Sequence, residues 1–403
     1  MKIFLLTPIY ATTTQGAGAT PVVHYFTREW VKLGHEVTVF HFVAKFPRPF
    51  YWVGRTFQHR LNTKLGMLVP VEYPTDDDYV AEGVTVHRIC LHKLLPHSRY
   101  IKRELSYAIE CIAKECREQG SPDWFVGHWD NPQLDLLDIL KNKYGKPTCI
   151  VFHQNDYSSL ENLYGKDIQG ILNNINVIGF RSKISEQYYV EKFGKPRCSF
   201  IAASGVSEAF LKAGTCSNRV VQQPIRNFVF VGSLIARKYP KAIITALSRA
   251  YPKGGFTMTF IGDGAEKEVI LQEYQRLGSV GELKFTGRIH REEIINYLNQ
   301  SDVFVMISTA EVFGLVYLEA MAFGLIPIGS KKEGIDGVIH HGENGFLCEA
   351  GNVDELVSIF NRLRHLSQEQ LAQISSKAKE TALNYSDESV AKKYIDTLAN
   401  TQY

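Results

Sequence analysis

What this chain is short of narrows the field before any motif does. Its seven cysteines in 403 residues are an odd number, widely scattered, and no two are spaced C-x-x-C. That argues against a disulfide framework and a cysteine zinc site, and fits a reducing, cytoplasmic compartment. No apolar run reaches the roughly 18 residues that a membrane span needs. Charge of one sign is also missing: 45 Lys and Arg against 42 Asp and Glu leave +3. So even a balance excludes an electrostatically driven nucleic-acid binder. The opening MKIFLLTPIY has one lysine and a short apolar run, followed by a glycine-containing loop. It reads as a first buried strand rather than a secretory leader. There is no tandem repeat and no low-complexity tract. His340 and His341 are adjacent and point apart, and no carboxylate cluster has ligand spacing. No metal and no cofactor are therefore expected.

What is present is ordinary globular material, 45% hydrophobic and 22% charged. At about 150 residues per domain, the length suggests two or three domains. The first forty residues read as strand, glycine loop, helix and strand. Lys2 to Pro8 is the strand, Gly16 and Gly18 lie in the loop, and Val22 to Leu33 is the helix. The next strand is Glu36 to Phe42. That order makes a parallel α/β unit. Further strands are expected at Thr85–Cys90, Asp123–Gly127, Thr148–His153, Asn176–Phe180 and Arg197–Ala203, with a helix over 101–118. Residues 206–226 lose periodicity and are read as a linker. A second series follows, with strands near Phe228–Val231, Met258–Ile261, Leu283–Thr286, Val303–Ile307 and Ile326–Gly329. Helices alternate with them, and the chain is helical from about 353, with Ser367 and Gln370 forming a capping box. The expected architecture is α/β, two doubly wound domains facing each other across a cleft. Their ranges are 1–205, a linker 206–226, 227–385, and a helix 386–403 returning to the first domain. Ligand would sit at the C-terminal edges of the strands.

The most informative segment is Glu311 to Glu319, EVFGLVYLE. Glu311 follows a strand, Phe313-Gly314 permits a tight turn, and a helix starts near Leu315 and Val316. Its first amide groups suit a phosphate. Glu319 lies about one turn in, so the two carboxylates can address two parts of one ligand. As a bland alternative, they are a surface Glu and a dipole-favoured Glu near a helix start. In VFVGSLIARK, a strand ends at Gly232 and Arg237-Lys238 follow. Paired cations there can hold a diphosphate and stabilise its charge as it leaves. His153 ends the strand TCIVFH, where it can bond a sugar hydroxyl, and His128 ends FVGH as an acceptor-side candidate; satisfied core histidines are the alternative for both.

These segments together resemble the large family of retaining GT-B-fold glycosyltransferases with an E-x7-E signature, glycosyltransferase family 4 or glycosyl transferases group 1. The signature runs through EVFGLVYLEAMAFGLIPI into EGIDGVI and GENGFL. GHEVTVF, GVTVHR, IGDG, FTGR and YSDESVA add weaker marks. The resemblance implies that Glu311 contacts the donor sugar and Glu319 the nucleotide ribose. It implies that His153 contacts the donor sugar, and that the Gly16/Gly18 loop touches donor diphosphate or acceptor. Backbone groups of Arg288 and Ile289 would meet the base. In many members an Arg directly follows the glycine, where this chain has Ser233. The phosphate role passes instead to Arg237 and Lys238. The implied reaction is transfer with retention from a nucleotide-sugar, a UDP-sugar being favoured, to a saccharide or lipid-linked acceptor, as in polysaccharide or glycoconjugate biosynthesis. The leaving diphosphate would help deprotonate the acceptor, and no metal is required.

Residues 41–70 carry five cations, no acid and many aromatics. They are either an interfacial element on the inner face of the plasma membrane or an acceptor-binding loop. Two other functions use the same architecture: a nucleotide-sugar epimerase, and a non-catalytic partner subunit of a glycosyltransferase complex.

Overall fold

The computed structural model describes residues 1–10, 22–52, 72–154, 157–217 and 219–402. The chain divides into two compact units. The first holds Met1–Phe180, Tyr188–Ala202 and Ala391–Tyr403; the second holds Arg181–Gln187 and Ala203–Val390.

The first unit is built on β1 (Lys2–Thr7), β2 (Glu36–Lys45), β3 (Asp77–Ala81), β4 (Val84–His92), β5 (Trp124–His128), β6 (Thr148–Phe152), β7 (Val177–Phe180) and β8 (Ser199–Ile201). Their order in the sheet is β3-β4-β2-β1-β5-β6-β7-β8. All neighbours are parallel except the β3–β4 hairpin at one edge. Continuous apolar runs such as Ile3-Phe4-Leu5-Leu6 are fully buried. A strand covered on both faces needs that pattern rather than alternation. The hairpin was not legible as a strand pair because its residues are DDYVA, poor in strand formers. Glu82 and Gly83 at positive φ close it. The acids have local work there: Asp76 accepts the Cys90 N–H and Asp78 bonds His87.

The second unit has six parallel strands: β9 (Asn227–Val231), β10 (Thr257–Ile261), β11 (Glu282–Gly287), β12 (Val303–Val305), β13 (Ile326–Ser330) and β14 (Phe346–Cys348). Their order is β11-β10-β9-β12-β13-β14. Strand β14, three residues long, carries too little pattern to be read from sequence. The helices at Pro240–Ala250, Arg291–Leu298 and Leu315–Ala322 fall where periodicity places them. The capping box at Ser367 and Gln370 forms. One expectation fails locally. The stretch 206–226 is not irregular throughout, because Glu208–Cys216 is a helix. Only Phe210 and Gly214 of this helix are buried, one turn apart. A Cβ on Gly214 would overlap the Ala322 carbonyl, so the glycine permits close helix packing. Two contacts are too few to register as periodicity.

Both sheets place the two strands that flank their order reversal side by side. The first unit reverses between β1 and β5, the second between β9 and β12. In open α/β sheets ligands bind outside the carboxyl ends of strands at such a point.

Candidate active site

In the second unit, the loops leaving β9 and β12 are tied together. The Thr309 N–H donates to the Arg237 carbonyl at 2.8 Å, and Arg237 Nη1 donates back to the Thr309 carbonyl at 3.0 Å. This stitch brings three sequence-selected side chains to one place. Arg237 Nη1 lies 3.5 Å and Lys238 Nζ 3.8 Å from Glu311 Oε2. Lys238 Nζ also contacts Met306 Sδ at 3.5 Å. The ammonium is largely buried. Burial holds it below its ordinary pKa, Glu311 opposes that shift, and Arg237 adds to it. A ligand with two or more negative charges would relieve both effects.

Gly232 makes room for this ammonium, since a Cβ there would stand 2.7 Å from Lys238 Nζ. Behind it, a Cβ on Gly262 would overlap the Gly232 carbonyl oxygen, and one on Gly264 the Leu234 carbonyl. The strand ends are therefore packed backbone to backbone. Gly314 adopts φ +79° at the start of the helix Leu315–Ala322, which has no side-chain cap. A helix end of that kind suits an anion. Leu315 and Val316 are half-buried beside it, and Phe313 is buried under the Arg181 guanidinium, 5.9 Å from its ring centre.

Glu319 is almost fully buried and its Oε1 accepts a hydrogen bond from Arg291. Burial raises its pKa and Arg291 pulls it back. Arg291 was not singled out by sequence; it heads the helix that follows Arg288-Ile289-His290, and only folding shows its partner. Arg288 is exposed and Ile289 half-buried, at the end of β11. Glu333 joins the same cluster. Its carboxylate accepts the Glu311 N–H at 2.8 Å, and the Gly334 N–H donates to the Glu311 carbonyl at 2.8 Å. Burial, with Glu311 nearby, pushes the Glu333 carboxyl up. Lys331, by contrast, is committed to Glu355 at 2.7 Å.

In the first unit, His153 follows β6 and stacks on Trp129, ring centres 3.8 Å apart. Its Nε2 is 2.8 Å from His128 Nδ1. His128 was expected to line the acceptor side. It is fully buried at the end of β5, where it meets His153. Gly16 and Gly18 lie outside the described residues, as does 53–70 of the aromatic and basic stretch. Within the described part, Lys45 lies over the Tyr73 ring and Trp52 is 75% exposed. Lys93 N–H bonds the Lys45 carbonyl, so the exposed Leu94 and Leu95 follow β4 just as the aromatic stretch follows β2. No helix among the described residues is long and apolar enough to cross a membrane.

Residues 222–381 match the family described as glycosyl transferases group 1. That region of the chain is similar to this glycosyltransferase family. The match covers β9 to β14 and both glutamates. N-acetyl-alpha-D-glucosaminyl L-malate synthase of Bacillus anthracis is 36% identical over 110 residues, 27% of this chain and 28% of that protein. Alpha-monoglucosyldiacylglycerol synthase of Acholeplasma laidlawii is 29% identical over 214 residues, 49% of this chain and 52% of that one. The matched region thus spans at most about half of either curated relative. Anabaena HepE in complex with UDP and glucose superposes with a TM-score of 0.64 at 18% identity. That likeness covers 99% of this chain and all of HepE, and it shows that the chain has the GT-B fold.

Proposed function

We propose that this chain transfers a glycosyl unit from a nucleotide-sugar, a UDP-sugar being favoured, to an acceptor hydroxyl with retention of configuration. The observation that carries the reading is the cluster of Arg237, Lys238 and Glu311 at the order reversal of the second sheet, beside the uncapped helix at Gly314. Two cations and a set of helix amides suit a diphosphate, and a carboxylate between them suits sugar hydroxyls. Glu319, held by Arg291, would accept the ribose hydroxyls. Phe313, Leu315 and Val316 would shape the donor site, and the backbone of Arg288 and Ile289 would meet the base. His153 would bond the donor sugar. HepE, whose structure holds UDP and glucose, supports the choice of donor class.

In the reaction, the bond from the anomeric carbon to the diphosphate oxygen breaks. A bond from that carbon to the acceptor oxygen forms on the same face. The acceptor proton passes to the departing diphosphate. Arg237 and Lys238 neutralise the charge that builds there, so no metal is required. Chelator should therefore leave turnover unchanged. A panel of nucleotide-sugars in a thermal-shift assay, followed by a transfer assay with the donor that stabilises the protein, tests the reading. Interconversion of the donor sugar without an acceptor would overturn it in favour of an epimerase. An absence of any nucleotide-sugar effect would favour a non-catalytic subunit.

The acceptor is proposed to be lipid-linked or a growing saccharide, reached from a membrane surface. Trp52, Leu94 and Leu95 are exposed, and Lys45, Arg48 and Lys93 lie close to them in sequence, a pairing of apolar groups and cations that suits anionic lipid. The name of the Acholeplasma relative, alpha-monoglucosyldiacylglycerol synthase, is in keeping with this. Flotation with anionic liposomes at low salt, lost at high salt, is expected. A protein that stays at the bottom of the gradient under both conditions counts against it.

A further inference from the structure

We propose that Glu333 is a positioning residue that sets the place of the Glu311 carboxylate, and so governs how the sugar of the donor is held. The inference rests on the proposed role of Glu311 at the donor sugar. Strand β12 lies between β9 and β13 in the sheet, so the loop that carries Glu311 leaves the sheet between the loops of those two strands. On the β9 side Glu311 is met through its side chain: Oε2 lies 3.5 Å from Arg237 and 3.8 Å from Lys238. On the β13 side it is held through its backbone. Glu333 Oε2 accepts the Glu311 N–H at 2.8 Å, and the Gly334 N–H donates to the Glu311 carbonyl at 2.8 Å. Two consecutive residues of one loop thus grip both backbone polar groups of a single residue in the other. Such a grip fixes where the Glu311 Cβ stands, and with it the reach of the carboxylate.

The backbone on both sides is unusual. Ala310 adopts φ +53° and Lys332 φ +56°. Left-handed backbone is costly for a residue with a Cβ, and persists where the surroundings over-determine it. Each of these two residues directly precedes one of the glutamates. The turn at Lys332 has its own closure: its N–H donates to Asp336 Oδ2 at 2.7 Å, and the Asp336 N–H donates to the Glu333 carbonyl at 2.8 Å. Ile335, next along, is fully buried and anchors the loop. Across from it, Arg237 Nη1 reaches the Ala310 carbonyl at 3.4 Å. Gly334 lets the two loops close, since a Cβ there would overlap the Val312 carbonyl. Burial and the Glu311 charge oppose ionisation of Glu333, whereas the amides of Glu311 and Ala310 favour it. A carboxylate aimed at an amide makes a stronger bond than a neutral acceptor does. The bond from Glu333 goes to the residue proposed to read the sugar, whereas Arg237, Lys238 and the helix at Leu315 are proposed to hold the diphosphate. Loss of Glu333 should therefore be felt at the sugar more than at the diphosphate.

The test compares, in the full chain, affinity for UDP, affinity for the UDP-sugar that the thermal-shift panel selects, and turnover of that donor. Glu333→Ala removes the acceptor. It is expected to lower kcat by roughly 10²-fold, the cost of a small misplacement of a positioned group. It should also weaken binding of the UDP-sugar and leave binding of UDP unchanged. Glu333→Gln keeps an oxygen acceptor and should restore most of kcat. In a Glu311→Ala background, Glu333→Ala should cost little more, because no carboxylate is left to position. Hydrogen exchange of the segment 309–314, read by mass spectrometry, should speed up with Glu333→Ala and stay slow with Glu333→Gln. Glu333→Asp draws the carboxylate back by one methylene, and gives the same readouts in smaller degree if the alanine variant does not fold. Unchanged exchange in whichever of the Ala and Asp variants folds would overturn the proposal. So would a fully additive loss in the Glu311→Ala background, or equal weakening of UDP and UDP-sugar. If the parent protein turns over no nucleotide-sugar, the functional reading fails, and the exchange of 309–314 still decides whether Glu333 holds Glu311.

Discussion

The two units share one plan, parallel strands reversing order at the centre of a sheet, yet they furnish that reversal with different chemistry. In the second unit it holds two cations, two carboxylates and strand ends closed by Gly232, Gly262 and Gly264. In the first unit, β5 and β6 end in His128, Trp129 and His153, stacked and hydrogen-bonded, with a tyrosine behind. A charge-handling site needs close backbone approach and fixed ions. An imidazole site needs a ring held at a set angle. The same topology supplies the place in both units, and the local side chains supply the use.

Predictions that would break or sharpen this contrast can be ranked by size. Lys238→Ala should cost the most, about 10²-fold or more in turnover, by analogy with loss of a charged transition-state donor. Unchanged turnover would remove the charge-handling reading. Next, Arg291→Met strips the partner from a buried carboxylate, a change that costs roughly 3 kcal/mol when the charge is left behind. The sign with pH follows from the raised pKa of Glu319. The folded protein would keep that carboxyl protonated where the unfolded chain is already ionised. The variant's deficit should thus be smallest at acid pH and grow as pH rises above the usual carboxylate range. A series of melting curves from acid to neutral pH checks it, and a deficit that shrinks with rising pH would refute the pairing.

Gly262→Ala forces a methyl group into the Gly232 carbonyl at a φ of +134°. About 2 kcal/mol of stability should be lost, with donor-induced stabilisation lost alongside. Denaturant melts with and without nucleotide-sugar measure both. Smallest is Ser367→Ala, which removes a helix cap far from either reversal. It should cost about 1 kcal/mol and leave transfer rates unaltered. An effect on turnover there would mean that stability and catalysis are not separable in this chain.

Most of the charged site was legible in the residues themselves. Gly232, Arg237, Lys238, Glu311, Gly314 and Glu319 stand in short segments at strand exits, where spacing along the chain nearly equals spacing in space. The partners of Arg291 and Glu333 were not legible. Each acts across a gap of more than twenty residues on a side chain or amide of another loop. The burial of His128 was not legible for a related reason. A strand-end histidine looks alike in sequence whether its ring faces out or in, and only the packing around it decides between them. The helix Glu208–Cys216 and the strand β14 were missed because each buries too few residues to leave a period.

By itself, the sequence determined the α/β class, the strand exits, the glycine turns and the pair of glutamates. Those are local properties, written in apolar runs and in residues that backbone geometry demands. Only the tertiary structure decided that two loops would be stitched at Arg237 and Thr309, that Glu319 would be held by Arg291, and that a tyrosine near the C-terminus would stand behind His128. These depend on strand order, and strand order is a long-range choice: it is set by which buried faces pack together, a property no short stretch of residues contains.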